Sequence, residues 1–164
     1  KLHDIPNTVS AAVSSVADLA PRFLTIHASG GAAMIKAASE AAKQISITAV
    51  TILTSLSDQD LLEIGYSLEA KAAAINLAKL ATSNGARSIV CSPFEASEIR
   101  EAVAPEIQII TPGVRPAGSE LGDQKRVMTP KDAFKNGATS IVMGRSITKG
   151  NIKNKIKKLI ESLN

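Results

Sequence analysis

With 164 residues, 45% of them hydrophobic and 21% charged, the chain has enough apolar material for one globular domain with an ample core, which excludes disorder. Three Phe, one Tyr and no Trp leave no base-stacking platform for single-stranded nucleic acid. The abundance of small and branched aliphatics suits a helix-covered parallel sheet. No apolar run reaches the ~18 to 20 residues of a membrane span, and the opening Lys1-Leu2-His3-Asp4 is not a signal peptide, so the chain reads as cytoplasmic with no membrane partner. The single cysteine, Cys91, has no partner for a disulfide or a metal clip and agrees with a reducing compartment.

The net charge of +4 is local. Residues 149–164 hold five lysines (Lys149, Lys153, Lys155, Lys157, Lys158) against Glu161, and the rest of the chain is balanced. In the same segment Ile152, Ile156, Leu159, Ile160 and Leu163 recur at helical spacing, so the apolar stripe is expected to pack inward and the lysines to form a solvated face. No nucleic-acid partner is expected.

In chain order, residues 7–19 read as a helix. Phe23 to His27 reads as a strand ending in the turn Ala28-Ser29-Gly30-Gly31, and a helix follows over about 32–43. Ile45 to Leu53 is nearly continuous in β-formers, as a strand buried on both faces requires. A short helix near 58–64 precedes a longer one near 69–83, closed by Asn84-Gly85. Ser88 to Cys91 is a strand, about 95–103 a helix and Ile107 to Thr111 a strand. After a long polar loop, Pro112 to Met128, Thr129-Pro130 opens a helix in a cap-then-Pro arrangement that Asn136-Gly137 stops. Ser140 to Met143 is the last strand and the basic segment the last helix. Five βα units follow one another, so the sheet is parallel and its crossovers right-handed. The pattern fits an open doubly wound sheet or a barrel, and an eight-stranded barrel takes ~200 residues or more.

In parallel α/β folds the chemistry sits at the carboxyl ends of the strands. Gly144-Arg145, where a strand runs into a helix, offers free N–H groups and a guanidinium to a phosphate; the alternative is that Arg145 pairs with a carboxylate. The 112–128 connection reads as a closing loop or as ordinary surface. Lys1 and Asp4, three apart, suit a charged proton donor beside a carboxylate, but Asp4-Ile5-Pro6-Asn7 fits a helix entry equally well. His27 is expected to be structural, Cys91 inert core and Ser29-Gly30-Gly31 a plain strand-to-helix turn.

These segments together resemble the orotidine 5′-phosphate decarboxylase family in its bacterial subgroup. The motif DxKxxDIPNT is present from its lysine onward as Lys1 to Thr8. It is followed in family order by HASGG (His27 to Gly31), AVTILTS (Ala49 to Ser55), VCSPFE (Val90 to Glu95), TPGVRP (Thr111 to Pro116), GDQKRVMTP (Gly122 to Pro130) and MGRSIT (Met143 to Thr148). The resemblance implies a (β/α)8 TIM barrel, of which residues 1–164 form a single domain, the last five βα units plus the end of a preceding strand. It implies decarboxylation of orotidine 5′-monophosphate to uridine 5′-monophosphate, without metal or organic cofactor. Lys1 would be the catalytic proton donor and Asp4 its charged companion. Ile5 and Thr8 would contact substrate, Thr54, Ser55 and Pro112 would contact its base, and Arg115, Gln124, Gly144 and Arg145 would hold its phosphate. In the implied homodimer, Asp4 and Thr8 reach the neighbouring site.

Two other readings remain. A magnesium-dependent sugar-phosphate decarboxylase or hexulose-phosphate synthase shares the DxKxxD frame, although the intact DIPNT and GDQKR elements speak against it. A catalytically inactive remnant would at most bind a nucleotide monophosphate. The family's aspartate two residues before the lysine, an earlier ribose-binding aspartate and a second network lysine would all precede Lys1. A protein starting at Lys1 would leave two sheet edges unpaired, and such a fragment is expected to be inactive and poorly soluble when expressed alone.

Overall fold

The computed structural model describes residues 1–116 and 128–163. Five parallel strands, β1 (Phe23–His27), β2 (Ser46–Val50), β3 (Ser88–Val90), β4 (Gln108–Thr111) and β5 (Ser140–Ile141), pair in strict chain order. The helices are α1 (Pro6–Ser15), α2 (Gly31–Ala41), α3 (Asp58–Glu63), α4 (Ala70–Ser83), α5 (Ala96–Ala102), α6 (Pro130–Lys135), α7 (Arg145–Thr148) and α8 (Ile152–Leu163). A doubly wound sheet reverses its strand order at a switch point, whereas a barrel adds each strand beside the last. The order found here is the barrel's, and it decides what the sequence pattern left open. Helix contacts agree: α1 touches α2, α2 touches α4 and α4 touches α5, so these helices lie side by side along the sheet.

Register explains the core. Leu24 lies beside Ile47, Ile26 beside Ala49, and Ala49 beside Ile89, which in turn faces Ile109. These residues form one apolar sheet face, and Ile26, Ile47, Ile89 and Ile109 are all essentially buried. Each such side chain contributes about 1.5–3 kcal/mol on transfer from water. Met34, Ile35 and Ala38 of α2 and the alanines of α4 (Ala70, Ala73, Ala74, Ala78, Ala81) belong to the same core, small residues letting α4 approach closely. The opposite face carries the row Thr25, Thr48, Ser88 and Gln108. Thr48 and Ser88 are buried there and share a 2.6 Å hydrogen bond between hydroxyls, which removes the cost of burying either one.

Several boundaries differ from the sequence expectation. The run Ile45 to Leu53 is a strand only over Ser46–Val50, because its neighbours end at His27 and Val90 and a ladder needs partners; Thr51 N still donates to Val90 O at 3.0 Å before the chain bends. The first helix ends at Ser15, with a separate 3-10 turn over Ala17–Leu19. β5 has two residues, although Val142 N continues the pattern to Thr111 O at 2.9 Å.

The terminal helix corrects a stronger expectation. Its apolar stripe does not pack inward: Ile152, Ile156 and Ile160 are 46%, 43% and 57% exposed, and only Leu159 and Leu163 are half-buried. The helix meets α6 and α7. No described helix is long and apolar enough to cross a membrane.

Candidate active site

Because all five strands run parallel, their carboxyl ends share one edge of the sheet, and local chemistry fixes what stands there. Leu2 N donates to Thr25 O at 2.9 Å and His27 N to Leu2 O at 3.0 Å, so the segment around Leu2 lies as a strand end beside β1. This anchors Lys1 and His3 at the edge, with their side chains exposed. The Asp4 carboxylate accepts from Ile5 N at 2.7 Å, and Pro6 occupies the first turn of α1, where its missing N–H costs nothing. The helix-entry reading therefore holds for Asp4 to Asn7, and no ion pair joins Asp4 to Lys1 within this chain. Ile5 is 66% exposed and Thr8 points away from the core residues Val9 and Val13 of the same helix.

Next along the edge, His27 and His3 place their rings 5.5 Å apart. Burial, then the charges of His3 and Lys1, pull the His27 pKa below its usual range. The neutral ring is thus favoured in the folded chain. Its contribution to stability is complete above the unfolded value of about 6.5 and is lost as pH falls below it. Thermal melts between pH 7.5 and pH 5 should show a falling midpoint, a fall that His27→Gln reduces; an unchanged pH dependence in the variant would contradict this role.

Thr54 is nearly buried beyond the end of β2 while Ser55 is exposed. Cys91 is buried, and burial, with the Glu95 carboxylate nearby, pushes its thiol pKa far up, as expected of inert core. Sequence reasoning missed Glu95 itself. It is fully buried, and its Oε2 accepts from Ser92 N at 3.1 Å, fixing the Cys91-Ser92-Pro93 turn at the end of β3. The signal was present as Ser92-x-x-Glu95, the spacing of a capping box.

The phosphate candidates sit at the other end of the sheet. After β4, Gly113 takes a φ of 75°, which an L side chain rarely adopts, and the chain re-pairs: Arg115 N donates to Met128 O at 3.0 Å and Met128 N to Gly113 O at 3.3 Å. That bridge, over a small core of Val114, Ala133 and Ala138, fixes Pro112, half-buried, and Arg115 at the site edge. Thr129 caps α6, accepting from Asp132 N at 3.2 Å. Gly144 is exposed with open space around its α-carbon, and Arg145 begins α7. The four-residue α7 is too short to carry much of a helix dipole, so charge here comes from side chains. Gln124 lies outside the described residues. Arg115 and Arg145 line a cleft of about 780 Å³ together with Lys131, Lys149, Lys155 and Lys158, and none of the described lining residues is an acid. Most of the lysines of this segment, Lys149, Lys153, Lys157 and Lys158, are exposed as expected, and Lys155 is half-buried along the cleft wall.

The structure therefore gathers Lys1, Thr54, Pro112, Arg115, Gly144 and Arg145 on one edge in the order of the motifs. The family model described as "Orotidine 5'-phosphate decarboxylase / HUMPS family" matches residues 1–158. The chain belongs to that family. Relatives named orotidine 5′-phosphate decarboxylase include those of Thermobifida fusca, 54% identical over 149 residues, and Frankia casuarinae, 50% identical over 148. These alignments cover 91% and 90% of this chain but 64% and 54% of those proteins, so the chain spans less than two thirds of their length. The crystal structure of orotidine 5′-phosphate decarboxylase from Lactobacillus acidophilus superimposes with a TM-score of 0.84 at 35% identity, covering all of this chain and 73% of that one. In this α/β barrel family the sequential sheet order found here is the expected one.

Proposed function

We propose that the protein carrying this chain decarboxylates orotidine 5′-monophosphate to uridine 5′-monophosphate. The observation that carries the reading is the pairing of the Leu2 segment onto β1, which puts Lys1 on the same edge as the cationic corner of Arg115 and Arg145. A phosphodianion held at that corner, remote from the reacting carbon, supplies binding energy for closing and drying the site. The bond from pyrimidine C6 to its carboxylate breaks, the electron pair stays on C6 and carbon dioxide leaves. The Lys1 ammonium stabilises that developing charge and delivers its proton to C6; the resulting amine regains a proton from water. Thr54, Ser55 and Pro112 contact the base side and Ile5 also touches the substrate, while Arg115, Gln124, Gly144 and Arg145 serve the phosphate.

A second copy of the chain completes this reading. Asp4 makes no ion pair with its own Lys1, and Thr8 faces outward, so both are disposed to reach a neighbouring site. Leu62, Ile64 and Leu68, in and beyond α3, are 58%, 61% and 42% exposed, apolar surface of the kind a homodimer covers. No metal, membrane or nucleic acid takes part in the proposed reaction, and the free Cys91 suits a cytoplasmic location. Turnover of orotidine 5′-monophosphate in deuterium oxide should give uridine 5′-monophosphate deuterated at C6, at a rate unaffected by a chelator. Loss of turnover on chelation would favour the magnesium-dependent sugar-phosphate branch, and absence of turnover would refute the reading.

A further inference from the structure

The chain has two histidines, and the fold brings both to one place. Leu2 pairs in register with Ile26, so strand alternation turns Lys1 and His3 to the same sheet face as His27, the residue that ends β1. The His3 and His27 rings lie with centroids 5.5 Å apart, tilted by 34°. Two imidazoles bound through nitrogen to one tetrahedral ion, at about 2.0–2.1 Å each, hold their centroids about 5 Å apart. A small adjustment of the exposed His3 side chain therefore closes both rings on one ion. The ring of His3 takes up its place because Gly30 carries no side chain; a Cβ there would stand 3.2 Å from His3 Cδ2. Among the described residues no third His, Cys, Asp or Glu joins the pair, so water completes the shell of a bound ion, and the thiol of Cys91 is buried in the core.

We propose that His3 and His27 together bind a borderline-soft divalent ion such as Zn²⁺, and that the ion, standing on the same face as Lys1, restrains the reaction there. Imidazole suits zinc, copper and nickel, whereas magnesium keeps to oxygen ligands. Two protein ligands make an exchangeable site, which fits an inhibitor and not a resident cofactor. A dication beside the Lys1 ammonium repels it and favours the neutral amine, a far poorer acid toward C6. The binding stands on the two rings alone, and its effect on turnover rests on the decarboxylase reading.

The test is calorimetric titration of Zn²⁺, at neutral pH, into the whole protein that carries this chain and into its His3→Ala and His27→Gln variants, each shown by circular dichroism to be folded. Turnover of orotidine 5′-monophosphate is followed over the same zinc range, as the ratio of zinc-loaded to zinc-free rate in each protein. Each variant should bind zinc at least about tenfold more weakly, no less than the loss of a group around a metal costs, and its turnover should resist zinc to the same degree. Mg²⁺ in large excess should not compete. Zinc affinity unchanged in either variant overturns the site, as does displacement of zinc by magnesium, the mark of an oxygen site. Zinc bound through both histidines with turnover unchanged overturns the link to Lys1. Absence of turnover in the zinc-free protein sinks the decarboxylase reading and the link to Lys1 with it, while the titration still decides the site.

Discussion

Replacing Lys1 with Ala, in the protein that carries this sequence, is expected to lower kcat for decarboxylation by about 10⁴-fold or more. A positioned general acid alone accounts for ~10² to 10⁴, and a fixed charge beside a developing carbanion for a further ~10² to 10³. Both roles fall on one ammonium group, so a single substitution removes both. The pairing of Leu2 with β1 uses backbone atoms only, and the Lys1 side chain is exposed, so the substitution leaves the fold and the segment's position unchanged. Affinity for uridine 5′-monophosphate should therefore be nearly retained, which separates a lost chemical step from a lost site. Lys1→Arg keeps the charge but holds its proton too firmly to give it up, and should recover little activity. A kcat loss below about 100-fold in Lys1→Ala, the floor for one general acid, would remove Lys1 from the proton-transfer step.

Hydrophobic period makes most of the architecture legible in the sequence. The strand over Phe23–His27, the two helices flanking Gly65 and Tyr66, and the cap at Thr129 all fall where sequence puts them. Period reveals which residues share a face but not what lies against it. This is why the helical spacing of Ile152, Ile156 and Ile160 suggests core although all three are exposed. Strand lengths failed for a related reason: Ile52 and Leu53 are as β-prone as Ile47, yet no neighbouring strand extends to pair with them. The barrel's sequential strand order is a long-range property that alternation cannot encode.

The site was legible unevenly. Spacing of Lys1 and Asp4 leaves a proton donor beside a carboxylate and a helix entry equally open, and within the chain the Asp4 carboxylate accepts from Ile5 N just before α1. Only the succession of motifs joined Lys1 to Arg145, 144 positions apart in sequence, and the parallel sheet supplies the physical reason they belong together. Glu95 escaped because a buried carboxylate near a strand end looks in sequence like any surface glutamate, unless the Ser92-x-x-Glu95 spacing is noticed.

The second large effect concerns Arg145. Replacing it with Ala should reduce kcat/KM for orotidine 5′-monophosphate by about 10³-fold, or ~4 kcal/mol, within the range for truncating one partner of a hydrogen-bonded charge pair. The magnitude is large because α7, with four residues, contributes little dipole, and the open space around Gly144 offers no replacement side chain. Arg115 lines the same cleft from a separate segment, its backbone fixed by the bridge to Met128. A phosphate remote from the reacting carbon should act through site closure, so the loss should appear in kcat as well as KM. The decisive comparison uses orotidine, which lacks the phosphate: Arg145→Ala should slow its far weaker turnover little, because the contact removed does not exist in that complex. Equal losses with both substrates would place Arg145 at the reacting end of the site or in the scaffold, and would move the phosphate corner elsewhere on the sheet edge.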